Sequence, residues 1–171
     1  MIRFAVIGTN TITDKFLQAA SALPDFKLCA VYSRTLARAQ EYAQKNNVSL
    51  VFDSLEALAN SDQIDAVYIA SPNFCHAAQS ILMMQHHKHV LCEKSFTTDA
   101  EQAKEIFALA KKKNVFVMEA FWTKFIPLYR QIEEILESGK LGEIRAVTAQ
   151  YGYTTARETR KFDPALAGGT L

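Results

Sequence analysis

The sequence predicts a doubly wound α/β fold, in which a parallel Rossmann sheet lies between two layers of helices, followed by the incomplete start of a second α+β domain. Six short runs are apolar on both faces, as strands that are buried under helices on both sides require. Longer segments with a helical period separate these runs. The predicted strands are residues 3–7, 27–33, 49–52, 65–71, 89–92 and 115–118.

The connecting helix predicted over residues 99–113 carries the clearest helical signal. Thr98 with Glu101 three residues later has the form of a capping box, and the run of lysines at residues 111–113 suits the negative end of the helix dipole. Apolar side chains recur at helical spacing, at Ala103, Ile106, Phe107 and Ala110. The pattern predicts an amphipathic helix with one face against the sheet.

Shorter signals place the preceding helices. The second connecting segment repeats the apolar stripe with Leu36, Ala39 and Ala43. Either Asp53 or Ser54 is expected to cap the third helix.

The pattern changes after residue 121, so we predict one domain over residues 1–121 and the beginning of a second over residues 122–171. Pro127 is expected to begin a helix, whose apolar stripe consists of Leu128, Ile132, Ile135 and Leu136. Residues 144–151 alternate as a strand covered on one face does. One helix and one strand cannot bury their own apolar faces, so the second domain is expected to be incomplete in this sequence.

The composition limits the classes of function. Of 171 residues, 49% are hydrophobic, and 19 basic against 18 acidic side chains leave a net charge of +1. The apolar content excludes a disordered chain, and the small charge gives no case for nucleic acid or an anionic membrane. The apolar runs are far shorter than the roughly 20 residues that span a bilayer, and no signal peptide is apparent.

Cysteine and histidine spacing predicts neither disulfides nor a metal site. The cysteines are odd in number and lack CxxC spacing, so we expect buried free thiols in a reducing cytoplasm at Cys29, Cys75 and Cys92. Three histidines near each other do not share one face of a helix or strand, which predicts a solvated turn at His86, His87 and His89.

A glycine turn follows the first strand, where dinucleotide-binding folds read G-x-G-x-x-G/A. Gly8 matches the first glycine, which permits the tight turn, whereas Asn10 replaces the second and Thr13 the third. Asn suits the second position if its backbone is left-handed. The residues predicted to bind phosphate are Gly8, Thr9, Asn10 and Ile12. A plain strand-to-helix turn remains the alternative.

The end of the second strand bears on which dinucleotide binds. An NAD site usually places Asp or Glu there for the ribose 2′-hydroxyl, but this chain has Ser33 and Arg34, with Arg38 four residues further on. Two guanidinium groups one helical turn apart, together with a hydroxyl, suit a 2′-phosphate. NADP(H) is therefore favoured, with NAD(H) possible. The alternative is two solvated arginines at a helix start.

Further segments at later strand ends carry a resemblance to a known family. They are residues 70–76 (ASPNFCH), 87–95 (HKHVLCEKS) and 118–127 (MEAFWTKFIP), with residues 167–171 (AGGTL) at the end. Together they resemble the Gfo/Idh/MocA family of NAD(P)-dependent oxidoreductases, especially its dimeric dihydrodiol dehydrogenase-like branch. The chain departs from the family at Ser95, where a proline usually follows the lysine through a cis bond.

The resemblance implies the roles of the site residues. Lys94 would be the catalytic residue, because its ammonium can hydrogen-bond the reacting oxygen and stabilise alkoxide charge. Glu93 would face the nicotinamide ribose, and Trp122 would form a wall near the cofactor. The full set of predicted cofactor-binding residues is Gly8, Thr9, Asn10, Ile12, Ser33, Arg34, Arg38, Ser71, Pro72, Asn73, His76, Glu93, Lys94 and Trp122.

The expected function is hydride transfer between the nicotinamide and a sugar, polyol or dihydrodiol-like alcohol, with a small alcohol or carbonyl compound as substrate. A homo-oligomer is expected where the second domain is complete. A non-catalytic NADP(H)-binding module, or a truncated remnant, is the alternative. The residues alone also leave open a surface role for Lys94, a helix-start position without a ligand for His76, and interdomain packing for Trp122.

Overall fold

A computed structural model describes residues 1–152 and 154 of the chain. Its sheet has six parallel strands in the order β3-β2-β1-β4-β5-β6. This is the strand order of doubly wound dinucleotide-binding sheets, and the predicted fold class is confirmed. The strands are β1 (Ile2–Ile7), β2 (Phe26–Tyr32), β3 (Leu50–Phe52), β4 (Ala66–Ile69), β5 (His89–Cys92) and β6 (Val117–Glu119).

Within the described residues, five helices connect consecutive strands and a sixth follows the last strand. They are α1 (Thr11–Ala20), α2 (Leu36–Lys45), α3 (Leu55–Asn60), α4 (His76–Gln85), α5 (Ala100–Lys113) and α6 (Pro127–Glu137), with 3-10 turns at Asn73–Cys75 and Trp122–Phe125. No helix within residues 1–152 is long and apolar enough to cross a membrane.

The sheet is buried on both faces, which explains the continuous apolar runs. Within β1, Ala5 and Ile7 pack into one core cluster and Val6 into the other. The first cluster contains side chains of α3, α4 and α5, whereas the second contains side chains of α2 and is covered in part by α1. Alternate residues of one strand therefore reach opposite layers of helices.

The helix starts confirm one predicted cap and correct another. Ser54 caps α3, since its hydroxyl accepts a hydrogen bond from the Ala57 N–H at 3.2 Å. For α5 the predicted Thr98 cap is wrong: the Asp99 carboxylate accepts from the Gln102 N–H at 2.9 Å. The Thr98 hydroxyl lies one residue too early and instead donates to the Gln102 side chain at 3.1 Å.

The predicted apolar faces of α2 and α5 are only partly buried. Ile106 and Ala110 of α5 lie in the core, as predicted, but Phe107 is 53% exposed. In α2, Ala39 is buried while Leu36 at the first turn remains largely exposed. All three cysteines are free thiols, but the predicted burial is confirmed only for Cys92 in β5 and is wrong for Cys29 and Cys75, which are half-buried.

The chain divides into two compact units, Met1–Ala120 and Phe121–Leu171. In the second unit α6 begins at Pro127, as predicted, and its apolar stripe is 42% exposed or more at Leu128, Ile132, Ile135 and Leu136. The strand predicted over residues 144–151 is wrong, because those residues form no strand. A strand needs a neighbour to satisfy its backbone N–H and C=O groups, and the described residues supply none there. Assigning residues 1–121 and 122–171 to two functional domains stays a prediction.

Candidate active site

The predicted site residues of the first unit lie at one edge of the sheet. All six strands are parallel, so their carboxyl ends meet at this edge, where α/β sheets bind ligands. The turn after β1 touches the segment after β4: a Cβ added to Gly8 would lie 2.7 Å from the Ala70 carbonyl oxygen. Gly8 also has a φ of +109°, which favours glycine. This position therefore needs glycine for two independent reasons.

Asn10 has a different role from the one its motif position indicates. Its φ of −120° is extended rather than left-handed, so it does not replace glycine for backbone reasons. Its side-chain oxygen instead caps α1, accepting from the Ile12 N–H at 3.1 Å and the Thr13 N–H at 3.2 Å. Its amide nitrogen donates to the Ala70 carbonyl at 2.6 Å. Asn10 thus holds the turn to β4.

The same turn presents backbone donors to a ligand. Within the described residues, no hydrogen bond uses the N–H groups of Thr9, Asn10 or Thr11. These three N–H groups stand at the N-terminus of α1, where the helix dipole favours an anion. The Ile12 N–H, also predicted to bind phosphate, is already used by the Asn10 cap. The groups of this turn that are available to a pyrophosphate are therefore the N–H groups of Thr9, Asn10 and Thr11, which precede Ile12.

Of the two predicted arginines, Arg38 is joined directly to the glycine turn. Its Nε donates to the Thr9 hydroxyl at 2.8 Å, and its Nη2 donates to the Thr9 carbonyl at 3.1 Å. Arg34 precedes the extended cap residue Thr35, so the predicted one-turn helical spacing between the arginines is wrong. Burial raises the pKa of the Cys75 thiol, and the nearby Arg34 charge opposes that rise.

Ser33 offers little to a ligand. The residue is 8% exposed, and its N–H donates to the Phe52 carbonyl at 3.1 Å. The cationic side chains after β2 that remain accessible to a ligand are therefore the exposed arginines Arg34 and Arg38.

A cleft of about 430 Å³ lies between α1 and α2, and several residues that line it were not predicted as site residues from the sequence. The Tyr42 hydroxyl donates to Asp14 at 2.7 Å, and Lys45 pairs with the same carboxylate oxygen at 3.1 Å. The Tyr42 hydrogen bond is the main reason why the pKa of Asp14 is lowered. Helical spacing along α2 could have indicated this face. The cleft is lined by Thr9, Asp14, Arg38, Glu41, Tyr42 and Lys45.

The segment after β5 presents Lys94 to solvent. Lys94 is exposed, and within the described residues no hydrogen bond or ion pair uses its Nζ. The peptide bond between Lys94 and Ser95 is cis. Glu93, in contrast, is 8% exposed and turns inward, with Tyr68 donating to its Oε1 at 2.8 Å and the Lys94 N–H to its Oε2 at 3.2 Å. Glu93 therefore anchors the backbone that carries Lys94.

The segment after β4 also directs much of its polar chemistry inward. The Ser71 hydroxyl donates to the Gln79 side chain at 2.6 Å, whereas Pro72 and Asn73 are half-buried at the 3-10 turn. His76 is fully buried, and both of its ring nitrogens face backbone carbonyls. The geometry favours a helix-start position for His76 over direct contact with a ligand.

The remaining predicted residues lie outside the first unit. Trp122 belongs to the second unit, where it begins a 3-10 turn and is 60% exposed. Residues 167–171, which contribute to the family resemblance, lie outside the described part of the chain.

Comparison with known proteins places the chain in a family. The model of the GFO/IDH/MocA oxidoreductase family, with its NAD-binding Rossmann fold, matches residues 2–121. The chain belongs to this family. The resemblance recognised in the sequence is therefore confirmed, and the glycine turn and Lys94 lie within the matched residues.

Two curated members of the family illustrate the relationship. The chain is 44% identical, over its whole length, to scyllo-inositol 2-dehydrogenase (NADP(+)) IolU of Bacillus subtilis, and it covers 54% of that protein. It is 33% identical to human trans-1,2-dihydrobenzene-1,2-diol dehydrogenase, with 99% of the chain and 52% of that enzyme aligned. The chain thus spans about half the length of the curated relatives it matches.

A solved structure of the family agrees in fold. The 3-ketoreductase KijD10 from Actinomadura kijaniata, in complex with NADP, superposes with a TM-score of 0.76 and 36% identity. The superposition covers 84% of this chain and 46% of KijD10.

Proposed function

We propose that this chain is the cofactor-binding part of an NADP(H)-dependent oxidoreductase that acts on a sugar, polyol or dihydrodiol-like alcohol. The observation that carries the proposal is the arrangement along one sheet edge. The turn after β1 has three available N–H groups, Arg38 is bound to Thr9 of that turn, and Lys94 follows β5 two strands away. Neighbouring strands lie about 4.8 Å apart, so β1 and β5 are about 10 Å apart, which an extended dinucleotide can span.

The choice of NADP(H) rests on charge at the β2 terminus. Arg34 and Arg38 both follow β2, where an NAD site usually has an acidic residue. A guanidinium group binds phosphate oxygens through paired N–H donors, whereas a carboxylate repels them. The relative IolU is an NADP(+)-dependent dehydrogenase by name and KijD10 is solved in complex with NADP, which supports the same preference.

The chemistry assigned to this chain is proton handling and orientation. When bound, the nicotinamide supplies the hydride donor or acceptor. The exposed Lys94 ammonium would donate a hydrogen bond to the reacting oxygen and stabilise the negative charge that develops on it. A proton would then pass between that oxygen and Lys94 Nζ. Glu93 holds the Lys94 backbone N–H and is itself held by the Tyr68 hydroxyl.

Cofactor choice is tested by titrating nicotinamide fluorescence with NADPH and NADH. Arg34→Ala is expected to weaken NADPH affinity by roughly tenfold, the value of one charge-assisted hydrogen bond, and to leave NADH affinity unchanged. Arg38→Ala should weaken NADPH at least as much, since it also frees Thr9. Arg130→Ala, which removes an exposed arginine of α6, is the control. Equal affinity for both dinucleotides in all four proteins would overturn the 2′-phosphate assignment.

Turnover is tested on the full-length product of the gene that encodes this chain, with a panel of polyols and dihydrodiols. Lys94→Ala is expected to lower kcat by about 10² or more while NADPH still binds. Lys112→Ala, an exposed lysine near the end of α5, should leave kcat unchanged. NADPH binding without turnover in the wild-type protein would favour the second candidate, a non-catalytic NADP(H)-binding module.

We also propose a cytoplasmic homo-oligomer. Free thiols at Cys29, Cys75 and Cys92 suit a reducing compartment. The exposed apolar stripe of α6 supports burial against further protein. Sedimentation of the full-length protein should give a dimer or larger species, and a monomer at micromolar concentration would contradict this part of the proposal.

A further inference from the structure

His76 joins two loops at the sheet edge. It is the first residue of α4 and has no exposed surface. Its Nδ1 lies 2.8 Å from the Ser95 carbonyl oxygen, and its Nε2 lies 2.9 Å from the Ser71 carbonyl oxygen. The ring therefore bridges the segment after β4 to the segment that carries Lys94.

The two contacts are not equivalent in a neutral ring. A carbonyl oxygen can only accept a hydrogen bond and a neutral imidazole carries one N–H, so one ring nitrogen donates to its carbonyl while the other only packs against its own. Since the ring is inaccessible and both nitrogens are occupied, His76 has no free atom for a substrate or cofactor. Any effect of His76 on chemistry must therefore pass through the backbone it holds.

The Lys94 segment depends on such side-chain contacts. Residues 93–96 follow β5 without helix or strand, and of these four only Glu93 continues the backbone pairing, with its N–H donating to the Ile69 carbonyl at 2.8 Å. Glu93 accepts from the Lys94 N–H, and Glu119 accepts from the Phe96 N–H at 3.0 Å. His76 adds the contact to the Ser95 carbonyl, directly beyond the lysine.

We infer that His76 is a positioning residue for Lys94. In this inference Nδ1 carries the ring proton and donates to the Ser95 carbonyl, which fixes the backbone from which the Lys94 side chain projects, while Nε2 packs against the Ser71 carbonyl. This inference rests on the proposed function, in which Lys94 meets the reacting oxygen. His76 acts on catalysis by holding the backbone at Lys94, and it does not touch the reacting atoms.

The two ring nitrogens can be separated by substitution. The Asn amide nitrogen stands as many bonds from Cα as Nδ1 of histidine, and the Gln amide nitrogen as many as Nε2. His76→Asn therefore keeps a donor for the Ser95 carbonyl, and His76→Gln keeps one for the Ser71 carbonyl. Both variants place an amide in the same buried space, so a general packing defect should affect them alike.

The first measurement is amide hydrogen exchange of residues 94–96 by NMR, which needs neither cofactor nor substrate. His76→Gln is expected to speed exchange there by roughly two- to tenfold, the equivalent of one lost hydrogen bond. His76→Asn should stay near the wild-type rate. His87→Asn, an exposed histidine just after α4 with a φ of +59° that asparagine tolerates, is the control.

The second measurement is steady-state kinetics of the full-length protein. His76→Gln should lower kcat on the order of tenfold or more, since small displacements of a catalytic group slow reactions steeply. NADPH affinity should be unchanged, and His76→Asn should recover most of the lost kcat.

Equal exchange or equal kcat in the Asn and Gln variants would overturn the inference, as would a loss confined to NADPH affinity. If the wild-type protein neither binds NADPH nor turns over, the proposed function fails. The exchange rates then still decide whether His76 fixes the Lys94 segment.

Discussion

The amide nitrogen of Asn10 donates to the Ala70 carbonyl oxygen over 2.6 Å. This bond joins the turn after β1 to the segment after β4, and the other end of the same side chain caps α1. One residue thus couples the phosphate-binding turn to the neighbouring loop. The second position of the glycine motif is usually a glycine, whose missing side chain makes room for the pyrophosphate. In this chain the Asn10 side chain at that position links the turn to the segment after β4.

Replacing Asn10 tests this link. Asn10→Ala removes the cap and the bond to Ala70 and should lower the free energy of unfolding by about 1–2 kcal/mol in urea denaturation. Asn10→Asp keeps the capping oxygen and should cost less, but its charge beside the turn should weaken NADPH binding. Equal destabilisation by both substitutions would show that the cap contributes nothing.

A methyl group at Gly8 tests the close approach of the two segments. Gly8→Ala places a Cβ against the Ala70 carbonyl at positive φ and should destabilise the fold by about 1–3 kcal/mol. Gly139→Ala is the comparison, because Gly139 has a φ of +69° but nothing within 4 Å of its added Cβ. Urea unfolding should give the larger loss for Gly8. Similar losses would mean that backbone strain alone matters at this position.

The opposite end of β1 carries a pH-dependent contact. Arg3 donates from its backbone N–H and its Nε to Asp65 at 2.8 and 3.0 Å, and this hydrogen bonding lowers the pKa of Asp65 to about 2. A depressed carboxyl pKa contributes stability above the unfolded value near 4, and that contribution is lost as the pH falls towards 2. Asp65→Asn should therefore lower the thermal midpoint at pH 7 and lower it less at pH 2.5, where part of this contribution has been lost. Asp53→Asn, at an exposed aspartate, is the control for the loss of a surface carboxylate.

Two tyrosine–carboxylate pairs should differ in strength. Burial and the hydrogen bond to Glu93 raise the pKa of Tyr68, whose partner carboxylate is itself buried. Tyr42 donates to Asp14, which also has Lys45 and solvent access. Tyr68→Phe should therefore cost about 1.5–3 kcal/mol in urea unfolding, and Tyr42→Phe about 1 kcal/mol. A larger loss of unfolding free energy in Tyr42→Phe than in Tyr68→Phe would contradict this expectation, which is that a buried carboxylate costs more than a partly exposed one when its donor is removed.

Much of the sheet could be predicted from the sequence because burial on both faces leaves continuous apolar runs. The strand ends were placed less accurately: residues 115–118 were predicted where β6 is Val117–Glu119, and residues 65–71 where β4 is Ala66–Ile69. Apolar residues continue into the neighbouring turns, so the apolar runs do not mark where the strand pairing stops. The strand of residues 144–151 failed because alternation describes a covered face but does not provide the covering partner.

The candidate site was predictable in its position but not in its detailed contacts. Parallel strand order brings the ends of β1, β4 and β5 together, so Gly8 and Lys94 fall at one edge as expected. Whether a polar side chain points outward or binds its own protein depends on contacts distant in sequence. Glu93 meets Tyr68 across 25 residues, and His76 meets Ser95 across 19. No local pattern encodes such pairs.

The two outermost strands, β3 and β6, are three residues long. Such short edges offer little backbone for another chain to extend, so fibril growth by strand addition is disfavoured on either side. Aggregation of this polypeptide should instead begin at the apolar face of α6, where Leu128 and Ile132 are exposed to water. Engineering for higher yield would therefore start by placing charge on that helix and leave the sheet untouched.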